Sequence, residues 1–249
     1  MTPYYEEKNI TIHHAKWDAV LPRLEKRSAS MLCTDPPFAT TNLEWDKPVD
    51  WRLFWPCVEQ LCKVYAVMAL FSSGKFTHKL VASNLKNFRY ELIWEKPMPV
   101  GFLSANRRPL RGHENILIFA REFYRSVYNP QMIKGKMHKI GPPGKPSGHY
   151  GKHNLDFPTR VTNKYHPRSI LRFSKPHGAQ SLHPTQKPLE LMLWLVRSYS
   201  NPRHLVIDPF MGSGTTLVAA KMTGRRAIGV DSNERFCEIA AKRLRETEI

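Results

Sequence analysis

An acid followed by two prolines and an aromatic ring, Asp35-Pro36-Pro37-Phe38, stands where the apolar run Met31-Leu32-Cys33 ends. Two consecutive prolines remove two backbone donors and fix two φ angles, so a strand must stop there and present Asp35 and Phe38 on a stiff turn. In open α/β sheets the carboxyl ends of strands are where ligands bind. An ionised Asp35 and the Pro36 carbonyl can each accept a hydrogen bond from an amino group, and Phe38 can stack on a flat ring. That combination suits a heterocycle carrying an exocyclic amine, whose lone pair it would draw out of conjugation. The alternative, on residue types alone, is a strand-ending turn in which Asp35 caps a neighbouring backbone group.

A second constellation lies near the C-terminus. Leu205-Val206-Ile207-Asp208 reads as a buried strand, Pro209-Phe210-Met211-Gly212-Ser213-Gly214 as a tight turn, and Thr215-Thr216 as the start of a helix that runs through Met222. Gly224 stops that helix, and Ala227 to Asp231 forms a second strand ending in an acid. This is one βαβ unit. Gly212 and Gly214 let the backbone approach a ligand, and the amides around Ser213 to Thr216 face it from a helix N-terminus. Asp231 is placed to accept both hydroxyls of a ribose, as an acid does about 20 residues past a dinucleotide fingerprint. A dinucleotide turn requires a third glycine, and a P-loop requires a lysine after its last glycine; Leu217 and Thr215 stand at those places. Asp208 would repel a pyrophosphate but could pair with an ammonium. The cofactor expected is therefore S-adenosylmethionine.

These motifs, with Trp45-Asp46, Trp94-Glu95-Lys96-Pro97, His113-Glu114-Asn115-Ile116-Leu117 and His183-Pro184-Thr185-Gln186-Lys187-Pro188 between them, resemble the amino-group DNA methyltransferases. The order resembles the permuted "beta" arrangement of that family, with the catalytic motif first, the target-recognition region central and the cofactor motif last. The resemblance implies that Asp35, Pro36, Pro37 and Phe38 hold the target base. It further implies that Asp208, Phe210, Gly212 and Gly214 line the cofactor site, and that the segment from His183 to Pro188 packs beside the cofactor's methionine end. Lys187 could reach the cofactor's carboxylate; its other reading is a solvated lysine at a helix start. Family members with Asp at the position of Asp35 mostly methylate adenine and those with Ser mostly cytosine, so adenine N6 is expected, with cytosine N4 as the alternative. Related permuted enzymes are often dimers, and the helix expected from Trp51 to Val64 could supply a contact face for a homodimer.

Composition agrees with a double-stranded DNA substrate. The chain has 38 Lys and Arg against 21 Asp and Glu, a formal charge of +17 that suits a polyanion. From Arg121 to Lys187 thirteen basic residues meet two acids, Glu122 and Asp156, among glycines, prolines, histidines and tyrosines without a sustained period. The segment reads as a loop-rich recognition insertion lying along phosphates, with Ile170 to Phe173 as a strand anchoring it; a disordered basic linker is the other reading. Cys33, Cys57, Cys62 and Cys237 have neither zinc-ligand nor redox spacing, so no metal is expected. With no signal peptide and no apolar run of membrane-spanning length, the expected location is the cytoplasm of a bacterium or phage host, away from membranes.

The elements that must position these residues follow from the apolar runs. Strands are expected at Ile10 to His13, Ser30 to Thr34, Ala66 to Phe71, Tyr90 to Trp94 and Glu114 to Ala120. Helices are expected at Asp18 to Lys26, broken by Pro22, and at Trp51 to Val64, kinked by Pro56, Thr77 to Lys86 and Leu189 to Tyr199. Strands alternating with helices predict an α/β fold, a doubly wound, Rossmann-like parallel sheet carrying the recognition insertion. The expected organisation is one domain over 1–249, with a catalytic half (1–121), a target-recognition region (122–182) and a cofactor-binding half (183–249). Other function classes share parts of this pattern: a nicotinamide oxidoreductase the βαβ unit, a glutamine or RNA amine methyltransferase the chemistry, and a non-enzymatic basic DNA-binding module the charge.

Overall fold

A computed structural model describes residues 2–40, 46–142, 158–174 and 186–248. The described chain separates into two compact units, residues 1–129 with 169–249, and residues 130–168.

The larger unit is built on a nine-stranded sheet in the order β1-β2-β11-β10-β3-β4-β6-β5-β9. Its strands are β1 (Tyr5–Glu7), β2 (Ile10–His14), β3 (Ala29–Thr34), β4 (Cys62–Ser72), β5 (Phe88–Val100), β6 (Arg111–Ala120), β9 (Ile170–Arg172), β10 (Leu205–Asp208) and β11 (Arg226–Asp231). The run β2-β11-β10-β3-β4 is parallel. Central strands bury both faces, which is why they read as unbroken apolar runs. In β4, Val67, Ala69 and Phe71 enter the core on one face, while Ala66, Met68 and Leu70 enter it on the other.

Helices cover both faces, as the doubly wound pattern requires. Among them are α2 (Trp51–Leu61), α3 (Lys75–Ser83), α4 (Leu189–Tyr199), α5 (Thr215–Met222) and α6 (Glu234–Arg245). The Asp50 side chain caps α2 by accepting from the Arg52 N–H at 2.9 Å. Pro56 lies inside α2, and the apolar face of Phe54, Trp55, Val58 and Leu61 is buried in the chain's own core.

Several expected boundaries are corrected. The segment expected as a helix from Asp18 to Lys26 is a single turn, α1 (Trp17–Val20), followed by a 3₁₀ turn, Leu21–Arg23, with Pro22 inside it. The helix after Trp51 ends at Leu61, and Cys62 to Val64 already belong to β4. The sheet is mixed rather than wholly parallel. Only a 3₁₀ turn, Phe102–Ser104, separates β5 from β6, so they pair as an antiparallel hairpin that inserts β6 between β4 and β5, and β1 runs antiparallel to β2. The expected strand at Ile170 to Phe173 is present as β9, parallel to β5.

The smaller unit, Pro130–Arg168, contains a two-stranded antiparallel ribbon of β7 (Ile133–Ile140) and β8 (Arg160–Tyr165). The Tyr165 ring stacks on His138 at 4.2 Å and covers Gly135, where a Cβ would lie 2.5 Å from the ring. Lys134, Lys136, Lys139, Arg160 and Lys164 line this ribbon, all of them exposed.

Candidate active site

β3 continues through α2 to β4 on one side of the sheet, whereas β10 continues through α5 to β11 on the other. These two neighbouring strands therefore mark the switch point at which crossovers diverge, the position that leaves a ligand crevice at the strand ends. The pairing of Val206 with Met31 and of Ile207 with Leu32 sets the register that brings Thr34 and Asp208 together. Thr34 Oγ1 donates to Asp208 Oδ1 at 2.6 Å, fastening the strand end before Asp35 to the strand end before the glycine turn. A cavity of about 420 Å³ opens there, lined on one side by Asp35, Pro36, Pro37 and Phe38 and on the other by Asp208, Pro209, Phe210, Gly212, Ser213, Thr215, Thr216 and Asp231. Gly214 lies behind this wall, where a Cβ would lie 2.7 Å from Ala240 Cβ; its φ of 74° makes it the left-handed cap of α5.

The cofactor turn is tied by its acids. Asp208 is 3% exposed and accepts from Thr34, from Thr216 Oγ1 at 2.5 Å and from the Phe210 N–H at 3.2 Å. Burial raises its pKa to about 7 against the opposing pull of those three donors. A carboxylate offers about four lone-pair sites, so one remains for a further donor. Asp231 accepts from the Gly212 N–H at 2.9 Å through one oxygen and from the Asn233 N–H at 2.8 Å through the other. Burial pushes its pKa up as well, and each oxygen keeps a lone pair for a hydroxyl donor. A cavity wall of one buried and one half-buried acid, a positive-φ glycine turn and a helix N-terminus fits a cationic, ribose-bearing group, whereas it would repel a phosphate.

The turn after β3 is held by groups both near and far in sequence. Asp46 accepts from the Ala39 N–H at 2.7 Å and the Thr40 N–H at 2.8 Å, which holds Ala39 at a φ of 54°, in the left-handed region. Phe38 stacks on Phe76 at 4.8 Å with 24° between the rings, fixing the orientation of the ring that lines the cavity. The Lys187 ammonium pairs with Asp35 Oδ2 and lies 3.4 Å from Glu114 Oε2, and Lys96 pairs with the other Glu114 oxygen. Charges thus alternate along the wall, acid, base, acid, base. Burial alone would lower the Lys187 pKa, but the carboxylates of Asp35 and Glu114 reverse this and leave it raised. Lys187 is buried, not a solvated helix-start residue, and its charge is directed at the catalytic turn.

Some residues of this site carry no local signal. Arg243 of α6 donates to the Ser213 carbonyl at 2.5 Å, to Ser213 Oγ at 3.2 Å and to Thr215 Oγ1 at 3.0 Å, pinning the glycine turn from behind. Trp17 and Phe236 add aromatic walls near Asp231. Glu114 and Lys96 stand within motifs read from the sequence, but their pairing and burial were not anticipated. Trp45 and the stretch from His183 to Thr185 lie outside the described residues.

A doubly wound sheet whose switch-point crevice is lined by two acid-bearing turns defines the class, an α/β protein with a ligand cavity at its strand ends. The chain belongs to the N6/N4 methyltransferase family, described as DNA methylase, whose model matches residues 29–242. It is similar to the type II methyltransferase M1.MboII of Moraxella bovis, 28% identical over 96% of this chain and 97% of that one. Among solved structures it resembles the M1.HpyAVI–SAM complex, at 26% identity and a TM-score of 0.64, covering 94% of this chain and 98% of that one. The fold also matches the PvuII DNA methyltransferase, titled cytosine-N4-specific, at 18% identity and a TM-score of 0.69, over 97% of this chain and 88% of that one. Among the described residues no helix is long and apolar enough to cross a membrane.

Proposed function

We propose that this DNA methyltransferase is a type II, site-specific enzyme that methylates the exocyclic N6 of adenine in double-stranded DNA after turning the base out of the helix. The observation carrying this reading is the shared cavity, with Asp35 and Phe38 on one wall and Asp208 and Asp231 on the other. S-adenosylmethionine is the cofactor. When bound, it would supply a methyl carbon on a cationic sulfur; the amine lone pair would bond to that carbon as the carbon–sulfur bond breaks, S-adenosylhomocysteine would leave with the electron pair, and the amine would lose one proton.

The chain's own residues perform the remaining tasks. Asp231 would accept the ribose hydroxyls through the lone pairs left by Gly212 and Asn233, and Asp208 would accept the cofactor's ammonium. Asp35 and the Pro36 carbonyl would accept the two hydrogens of the target amine, turning its lone pair toward the cofactor side, while Phe38 stacks on the base. An ammonium beside Asp35 favours the ionised carboxylate, an acceptor-only group, so Lys187 keeps the clamp in its working state. Positioning and electrostatics would provide most of the rate, because the electrophile needs no further activation.

The position of the cavity at the strand ends supports turning the base out, since a base still stacked in a duplex would not reach it. The exposed Lys134, Lys136, Lys139, Arg160 and Lys164 of β7 and β8 suit phosphate contact. Adenine is favoured over cytosine by Asp35, through the family resemblance. Incubation with labelled S-adenosylmethionine and mixed duplexes, followed by nucleoside digestion and mass spectrometry, tests the reading. N6-methyladenine is expected, and Asp35→Asn should abolish it while binding the cofactor normally. N4-methylcytosine would replace the base assignment, and full activity in Asp35→Asn would remove Asp35 from the mechanism.

A further inference from the structure

The hairpin of β5 and β6 outruns the sheet on the cavity side. β4 ends at Ser72, paired with Asn115, yet β5 and β6 continue to pair through Trp94 with Glu114, Glu95 with His113 and Val100 with Arg111. Four residues of strand beyond Asn115 carry the ribbon about 13 Å past that edge at roughly 3.3 Å per residue. The edge is the one that bears Asp35, since Thr34 pairs with Leu70 of β4. Lys96, Glu114 and Val100 of the ribbon line the catalytic cavity. The projection therefore rises at the cavity mouth.

Its tip is apolar and unprotected. Gly101, at a φ of 101°, turns the chain into a 3₁₀ turn, Phe102–Ser104. Phe102 is 64% exposed, Leu103 fully exposed and Met98 64% exposed. Arg107, Arg108 and Arg111 are exposed on the return path, and no acid occurs between Glu95 and Glu114. Apolar side chains held in water at the end of a cationic ribbon call for a partner that is anionic outside and apolar within. Base-paired DNA has that character: phosphates on the surface and stacked bases inside, with Phe and Leu among the side chains that enter base steps.

We infer that Phe102 and Leu103 form a wedge that enters the duplex at the step vacated by the target base, with Arg107, Arg108 and Arg111 on flanking phosphates. The inference rests on the proposed base-flipping methyltransferase reading. In this arrangement the wedge replaces the stacking that the departing base gives up, and the ribbon's root delivers that base to Asp35. Val100, shared between the ribbon and the cavity wall, connects the two actions.

The test uses a duplex that the wild-type protein methylates, with the target base opposite either its normal partner or an abasic site. Phe102→Ala/Leu103→Ala should slow methylation of the paired duplex by at least about tenfold, the scale set by an unstacking cost of a few kcal/mol. On the abasic duplex, where flipping is easier, the same variant should regain most of the wild-type rate. Calorimetric affinity for S-adenosylmethionine should be unchanged, which also reports an intact fold. A variant that is slowed equally on both duplexes, or on neither, overturns the wedge. A wild-type protein that methylates no duplex at all overturns the underlying methyltransferase reading, and the wedge with it.

Discussion

The proposed pairing of Asp208 with the cofactor's ammonium makes cofactor affinity depend on pH. The folded-state pKa of Asp208, about 7, lies above the ordinary 3.8, because burial outweighs the donors Thr216, Thr34 and the Phe210 N–H. The folded protein thus retains a proton that the unfolded chain releases. The associated stability is complete below pH 3.8 and is lost as the pH rises through about 7, a difference of roughly 4 kcal/mol at about 1.4 kcal/mol per unit. A ligand ammonium facing Asp208 reverses the preference, since it favours the carboxylate. Binding then requires an ionised Asp208 and a protonated ligand amine, whose pKa is about 7.8. The product of the two populations is about 0.09 near pH 6, about 0.5 near pH 7.4 and about 0.06 near pH 9. Calorimetry across this range should therefore give a bell-shaped association constant for S-adenosylmethionine with a maximum near pH 7.4, about sixfold above its value at pH 6. In Asp208→Asn the acid limb should vanish while the alkaline limb remains. Wild-type affinity that stays level between about pH 6 and pH 7.4 would refute the pairing of Asp208 with the ammonium.

The remaining perturbations concern residues that hold the two turns. Lys187→Met leaves Asp35 and Glu114 facing each other; breaking a wholly buried pair costs about 3–5 kcal/mol, less here because Asp35 is partly open to solvent. Turnover at saturating cofactor should fall by about a hundredfold or more with cofactor affinity nearly unchanged. A loss confined to cofactor affinity would instead place Lys187 on the cofactor's carboxylate. Arg243→Met removes charged hydrogen bonds worth about 1.5–3 kcal/mol each, so it should lower the melting temperature and weaken cofactor binding by about tenfold, with partial recovery in Arg243→Lys. Equal affinity in wild type and Arg243→Met would show that the glycine turn holds its shape without this brace.

What could be read from the sequence was what neighbouring residues determine together. The unit from Leu205 to Asp231 has its strand, glycine turn, helix and second strand where the apolar runs and glycines place them, because each boundary is set by a residue within a few positions. The β7-β8 ribbon was invisible for the opposite reason. It is exposed over most of both faces, so no alternation of apolar and polar residues marks it. The strand expected from Tyr90 to Trp94 continues to Val100, because Pro97 and Pro99 lie on a two-stranded projection where missing donors are tolerated. Between Leu61 and Cys62 no breaker exists at all, and the helix passes directly into a strand within one apolar stretch.

The charges behind the catalytic turn were unreadable because they are a property of strand order rather than of any motif. Lys187 lies 152 positions from Asp35, just before α4, and reaches it only because β3 sits in mid-sheet with α4 packed across it. Glu114 arrives from a hairpin whose second strand is inserted beside β4, an insertion that the alternation of strands and helices argues against. The adjacency of the two ligand turns has a more general cause. One crossover leaves β3 toward β4 and another leaves β10 toward β11, so neither helix crosses the ends of the two strands between them. The crevice stays open there, and the Thr34 to Asp208 hydrogen bond holds its walls in register. Substituting Thr34 by Val, which keeps the shape and removes the donor, therefore bears on both turns at once: the bond lost ties Asp208 of the cavity wall to the strand end that carries Asp35.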